Sequence, residues 1–229
     1  DLKTGFIEEL YRKESVQANF AFITDDSSTI YFTANDKSPD SYNVYKMKLA
    51  DKSVETVFEG KGNWYVADQM NDGKKILLVK YNGAKENEFY DFNPATKELK
   101  PVIGQNEKEE YDVAYSGKEN QYFVSSNKTT DFKKLYVMVD GKLKQISKEM
   151  NYEVASFSVD HKRTRLIYEI NREGYTELGI LDAKTLKPIA NPKLPLSGLT
   201  PDHVFAGSTT RDGDVTMFGI ITAKAPRLA

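Results

Sequence analysis

A serine hydrolase needs a Gly-x-Ser-x-Gly elbow, because its hydroxyl must ride on a strained strand-to-helix turn beside an oxyanion hole. No glycine in this chain is followed two positions later by serine. The nearest arrangements, Ser116-Gly117 and Gly207-Ser208, fall in a predicted turn and a predicted strand. His161 and His203, the only histidines, each directly follow an aspartate in a recurring turn. They read as exposed turn residues standing where glycine sits elsewhere, and two histidines without cysteine make a poor transition-metal set. Asp212-Gly213-Asp214 is too short for a calcium loop, which wants alternating oxygen ligands and a distal glutamate, and it reads as a hairpin turn. Gly60-Lys61-Gly62 lacks a third glycine and a following helix, so it does not cradle phosphate. Asn127-Lys128-Thr129 fits the glycosylation triplet, a pattern that recurs by chance. Paired acids for glycoside hydrolysis need only the right separation in space, and no pair is singled out by the sequence. The sequence therefore assigns no catalytic, cofactor-binding or metal-binding residue and calls for no cofactor.

Composition narrows the classes further. The 229 residues carry 32 basic and 34 acidic side chains, a net charge of -2, with the lysines dispersed among acids. That is a solvated surface, so neither nucleic acid nor a membrane is expected as a partner. No cysteine is present, which excludes disulfides and thiolate chemistry. No run approaches the roughly 18 to 20 apolar residues of a membrane helix. The chain opens on Asp1 with no signal peptide, which suggests a processed or excised product. Tyrosine and phenylalanine dominate the aromatics, and both suit pleated, half-buried surfaces.

The elements that must position these residues repeat. An Asp or Gly turn precedes a short apolar run at Asp25-Asp26-Ser27-Ser28-Thr29, Asn71-Asp72-Gly73-Lys74-Lys75, Ser116-Gly117-Lys118-Glu119-Asn120, Val159-Asp160-His161-Lys162 and Thr200-Pro201-Asp202-His203. The anchors recur roughly every 42 to 46 residues, the period of propeller blades. A hairpin keeps step with each turn, at Tyr42 to Met47, Glu88 to Phe92, Lys134 to Met138 and Leu178 to Leu181, each followed by Asp, Asn, Gly or Thr turn chemistry. A first strand precedes each of the first four turns, over Asn19 to Thr24, Tyr65 to Met70, Tyr111 to Tyr115 and Val154 to Ser158. Helical periodicity is absent.

Four strands per unit, repeated, predict an all-β chain built as a β-propeller of about five four-stranded blades. It is either a small closed ring or an open, truncated arc of a larger one. The expected organisation is one domain over 1–229. An orphan fourth strand lies within 1–11 (Gly5 to Tyr11), and the repeats run over 12–60, 61–104, 105–147, 148–191 and 192–229, the last lacking its final strand. The opening residues Asp1-Leu2-Lys3-Thr4-Gly5 match the hairpin turns, so the chain begins within a hairpin. Trp64, the sole tryptophan, is expected to pack between blades.

Two elements carry a family resemblance. Asn71-Asp72-Gly73-Lys74-Lys75-Ile76 and Leu199-Thr200-Pro201-Asp202 resemble the Ser-Pro-Asp-Gly-Lys blade signature of TolB-like propellers, and Leu135 to Lys142 looks like their Ile-Tyr-Val-Met-Asp-x-x-Gly hairpin. The same signatures occur in the propeller preceding the hydrolase domain of the prolyl oligopeptidase family of serine peptidases. The closing segment, Val215 to Arg227, resembles the strand that leads toward that hydrolase. Membership would imply a non-catalytic cap whose innermost strands line a passage and restrict entry to short peptides. Its partners would be the hydrolase domain of the same polypeptide and the passing peptide. The chain stops before any hydrolase, and that family usually has seven or eight blades, so a fragment is expected. Glu109-Glu110 is similar to the paired glutamates that hold a peptide amino terminus in dipeptidyl peptidases, but in its charged loop it reads as solvated. Two further readings stay open: a TolB-like module that binds a protein through its loops, and a small glycan-active propeller enzyme.

Overall fold

Asp26 shows how the recurring turn is made. Its carboxylate accepts the Thr24 hydroxyl at 2.6 Å, the Ser28 N–H at 3.1 Å and the Ser28 hydroxyl at 2.8 Å. These donors favour the charged form and hold the carboxyl down to about 2. Asp72 accepts the Lys74 N–H at 3.0 Å, and Asp160 accepts the Thr164 and Arg165 N–H groups, both at 2.6 Å. Each turn has one left-handed residue, directly after Asp26 and Asp72 and three residues after Asp160, where Arg163 takes φ 55°. Ser27 takes φ 55° and Gly73 67°.

The computed structural model describes residues 3–193, 202–222 and 225–228. Among them there are strands and turns and no α-helix, hence no helix long and apolar enough to cross a membrane. The chain divides into two units, Asp1–Lys108 and Glu109–Ala229.

In the first unit, β1 (Ala18–Ile23), β2 (Thr29–Ser38), β3 (Ser41–Lys48) and β4 (Val54–Phe58) pair antiparallel in sequence order. So do β5 (Asn63–Gln69), β6 (Ile76–Gly83), β7 (Glu86–Phe92) and β8 (Leu99–Ile103). One parallel bridge, Tyr42 to Asn63, links the two sets. Their facing sides share a core of Val44, Val57, Trp64, Ile76, Leu78 and Phe92. The other face of β2 and β3 buries Phe32, Ala34, Tyr45 and Met47, against which Tyr11 and Val16 pack.

In the second unit, β9 (Asp112–Tyr115), β10 (Gln121–Ser126), β11 (Lys134–Val139) and β12 (Lys142–Gln145) form one sheet. A second holds β13 (Glu153–Val159), β14 (Arg165–Arg172), β15 (Tyr175–Asp182) and the two-residue β16 (Pro188–Ile189). The third holds β17 (His203–Thr209), β18 (Thr216–Thr222) and β19 (Ala225–Leu228). Phe123, Leu135 and Val137 of the first pack on Val154, Leu166, Tyr168 and Ile170 of the second. Strands such as β10 and β11 are buried along nearly their whole length, which explains their continuous apolar runs. A register shift recurs in the first strand of four repeats, between Phe20 and Phe22, Val66 and Asp68, Val154 and Ser156, and Ala206 and Thr209.

Three expectations are corrected. The fifth turn is not at Asp202. Thr200 and Pro201 lie outside the described residues, and Asp202 itself donates its N–H to the Ile221 carbonyl at 2.9 Å and accepts the Thr176 N–H at 3.0 Å. The turn that repeats the Asp26 geometry is Asp212-Gly213-Asp214. There the Thr210 N–H reaches the Val215 carbonyl at 2.9 Å, as Thr24 reaches Thr29 at 2.9 Å, and the Thr210 hydroxyl caps Asp212. Gly213 takes φ 75° directly after its aspartate, as Ser27 takes 55° after Asp26, whereas His203, directly after Asp202, is already the first residue of β17. Gly5 to Tyr11 forms no strand: it has no ladder among the described residues, and Phe6 and Ile7 stay 65% and 92% exposed. Of the opening turn, Lys3 and Thr4 are in a turn, and Asp1 and Leu2 lie outside the described residues. His203 opens β17, and half-buried His161 is the one histidine that sits in a turn.

Candidate functional site

The residues that sequence chemistry singled out are dispersed among structural partners. His203 Nδ1 meets the Thr176 hydroxyl at 2.9 Å. The Ser116 hydroxyl donates to the Gln121 carbonyl at 3.0 Å and closes its own turn. Glu110 pairs with Lys133 at 3.1 Å, and Lys133 also stands 3.9 Å from Asp112. Burial pushes the Asp112 carboxyl up, which the lysine offsets only in part. That assembly ties a sheet entrance to the loop before β11 and offers no free glutamate pair. Among the described residues no group of acids and histidines could hold a metal. Trp64 is a packing residue: its ring lies 4.8 Å from Phe58 and 5.2 Å from Tyr90, Lys80 stands 5.7 Å above it, and its N–H donates to the Lys61 carbonyl at 3.0 Å.

The second unit holds a pocket lined by residues to which sequence reasoning assigned no functional role. A cavity of about 750 Å³ opens between the face of β14 and β15 and the linker that joins β12 to β13. That size and its mainly apolar lining are those of a small-ligand or side-chain pocket. Around it the sheet differs from its equivalent in the first unit. In the first unit Leu78 stands opposite Tyr90, and Trp64 opposite Lys80. In the sheet of β13 to β16 the corresponding pairs are Tyr168 with Gly179 and Val154 with Ile170. One ring therefore crosses from the third strand to the second, and the tryptophan becomes valine. Tyr168 lies flat across Gly179, so closely that a Cβ there would sit 2.1 Å from the phenol carbon. An isolated glycine within a strand marks such an approach, and Gly179 was the sequence signal available for this site.

The linker wall is fixed by a buried cation. Lys134, 1% exposed, donates its ammonium to the Met150 carbonyl and to that of Tyr152 at 3.4 Å. Burial raises the pKa of the Tyr168 hydroxyl, and the Lys148 backbone offsets this in part. At the rim Arg172 stacks 5.4 Å from the Tyr152 ring and pairs with Glu177 at 2.9 Å, while the Tyr152 hydroxyl donates to Glu173 at 3.1 Å. Glu149 accepts the Gln145 amide at 3.0 Å. Glu149, Glu173 and Glu177 at the rim thus each have a partner.

No protein-family model matches this chain, and neither does any curated protein sequence. Among solved structures it is similar to a prolyl endopeptidase, at 18% identity and TM-score 0.69, over 92% of this chain and 32% of that one. It is also similar to TolB from Acinetobacter baumannii, at 17% identity and TM-score 0.58, over 93% of this chain and 53% of that one. The β-propeller domain of the Trilobed protease from Pyrococcus furiosus, described as having an open velcro topology, matches at 15% identity and TM-score 0.53, over 92% of this chain and 79% of that one. This chain thus spans about a third of the first of these proteins and half of the second. At such identities the likeness is one of fold, and the fold is all-β, with propeller domains as its neighbours.

Proposed function

We propose that this chain is the non-catalytic propeller portion of a prolyl-oligopeptidase-type serine peptidase, serving as a gate that selects substrates by size. The observation that carries the reading is the repeated unit of an Asp-capped turn and antiparallel strands, together with a likeness to a prolyl endopeptidase over 92% of this chain. In this reading residues 1–229 are one domain of about five blades, and the first strand of each blade lines a passage. Antiparallel sheets that each need a neighbour to cover their faces suit such a gate, because the stacked core is stiff while the strand ends and loops remain free to contact a peptide. The absence of any Gly-x-Ser in the chain fits a division of labour in which a separate hydrolase domain performs the chemistry.

The test uses the intact natural polypeptide. It should cleave a short proline-containing peptide and leave the same sequence uncut when it is embedded in a folded protein. Equal cleavage of both would remove the gate, and cleavage of neither would remove the peptidase. A second reading, a TolB-like module that binds a partner protein through its loops, is favoured by the TolB likeness over 93% of the chain. One stoichiometric partner retained by a polypeptide without a hydrolase domain would select it.

A further inference from the structure

We infer that the cavity on β14 and β15 is a binding site for an aromatic side chain presented by a peptide. The inference goes beyond the gating role and does not rest on it. Three observations carry it.

The first is the ring arrangement. The equivalent sheet in the first unit sets Trp64 between the tilted rings of Phe58 and Tyr90, whereas here Gly179, which lines the cavity, takes the Tyr90 place, Val154 of the adjoining core takes the Trp64 place, and Tyr168 alone crosses over. About 750 Å³ of open volume lies beside Tyr168. The second is the wall chemistry. Half-buried Tyr152 and Met150 offer a ring and a polarizable thioether, over a floor of buried Tyr168 and Ile170. An incoming planar ring meets them without losing hydrogen bonds, and sulfur and ring faces favour an aromatic over an aliphatic guest. The third is the rim. Arg172 is already stacked on Tyr152 and has guanidinium donors left over, and Glu173 and Glu177 each have spare acceptor sites. Donors and acceptors set around an apolar floor match the amide groups flanking a side chain in a peptide, and a bare hydrocarbon would leave them unused.

The probe is N-acetyl-phenylalaninamide titrated into the chain with its methionine methyls labelled, followed by NMR. Met150 is identified among the five methionines by a Met150→Leu variant. The expected result is a saturable upfield ring-current shift of the Met150 methyl. Affinity should exceed that for N-acetyl-leucinamide by about tenfold, the scale of one to two aromatic contacts. Tyr175→Ala, at a half-exposed lining position that leaves the core untouched, and Arg172→Ala, which frees the Tyr152 ring, should each weaken the aromatic probe several-fold and leave the melting curve in place. The inference is overturned by a Met150 methyl that does not shift, by equal affinity for the leucine probe, or by tighter binding of N-acetyl-lysinamide. The last outcome would reassign the site to basic side chains.

Discussion

Replacing Gly179 by alanine sets two opposed effects against each other. Removing a glycine from a strand lowers the freedom of the unfolded chain and stabilises by roughly 0.4–1 kcal/mol where the native conformation accepts a side chain. Here the new Cβ would lie 2.1 Å from Tyr168 Cζ, 2.4 Å from Cε1 and 2.5 Å from the hydroxyl. Such contacts cannot persist, so the buried ring must swing away, and overpacking of this kind costs about 1–3 kcal/mol. Packing wins, and Gly179→Ala is expected to destabilise by about 1–3 kcal/mol. Urea unfolding followed by circular dichroism should show a lower midpoint with an unchanged slope. The same substitution in a Tyr168→Leu background, which installs the leucine found at Leu78 of the equivalent sheet, should cost little or nothing, a coupling of at least about 1 kcal/mol. A Gly179→Ala midpoint at or above the parent's, or an identical loss in both backgrounds, would refute the reasoning.

Other outcomes follow from the same packing and electrostatics. Phe123→Ala removes a fully buried ring from the core of β10 and β14 and should lower stability by about 3–5 kcal/mol in urea titration. Lys134→Met leaves the Met150 and Tyr152 carbonyls without their ammonium donor, so amide exchange across residues 146–152 should accelerate while strands β10 and β11 stay protected. Asp26 has a folded pKa near 2, below its unfolded value near 4, so the stability it adds is present above pH 4 and lost as pH falls toward 2. Asp26→Asn should flatten the acid limb of the stability profile in that window. Tyr90, whose phenol is pushed up to about 12 by burial and by the Glu88 carboxylate it donates to, should ionise late in an absorbance titration, and Glu88→Gln should bring it down.

What the sequence made legible was whatever local chemistry decides. Aspartate turns at Asp26, Asp72 and Asp160 depend on donors within a few residues, and Asn93 and Asp182 cap the hairpin turns by accepting the N–H groups at Ala95 and Thr96 and at Lys184 and Thr185. The strands between them followed from those turns. Asp202 misled because Thr-Pro-Asp resembles the true turn at Thr210 and Asp212, and only the strand pairing shows that His203 already begins β17. Gly5 to Tyr11 has strand composition, but pairing requires an edge that composition does not reveal. The cavity was illegible for a different reason. The difference around it shows in comparing Val154 and Gly179 with Trp64 and Tyr90, positions that correspond only once the strand registers are known. The Glu110 to Lys133 pairing is likewise a product of tertiary contact.

The most direct measurement on the peptidase reading is the nucleotide sequence of the natural reading frame that encodes these residues. The reading requires a downstream segment in which a Gly-x-Ser-x-Gly pentapeptide sits between a strand and a helix, with an aspartate and then a histidine further on. A natural frame that encodes these sheets and carries no such segment would contradict it.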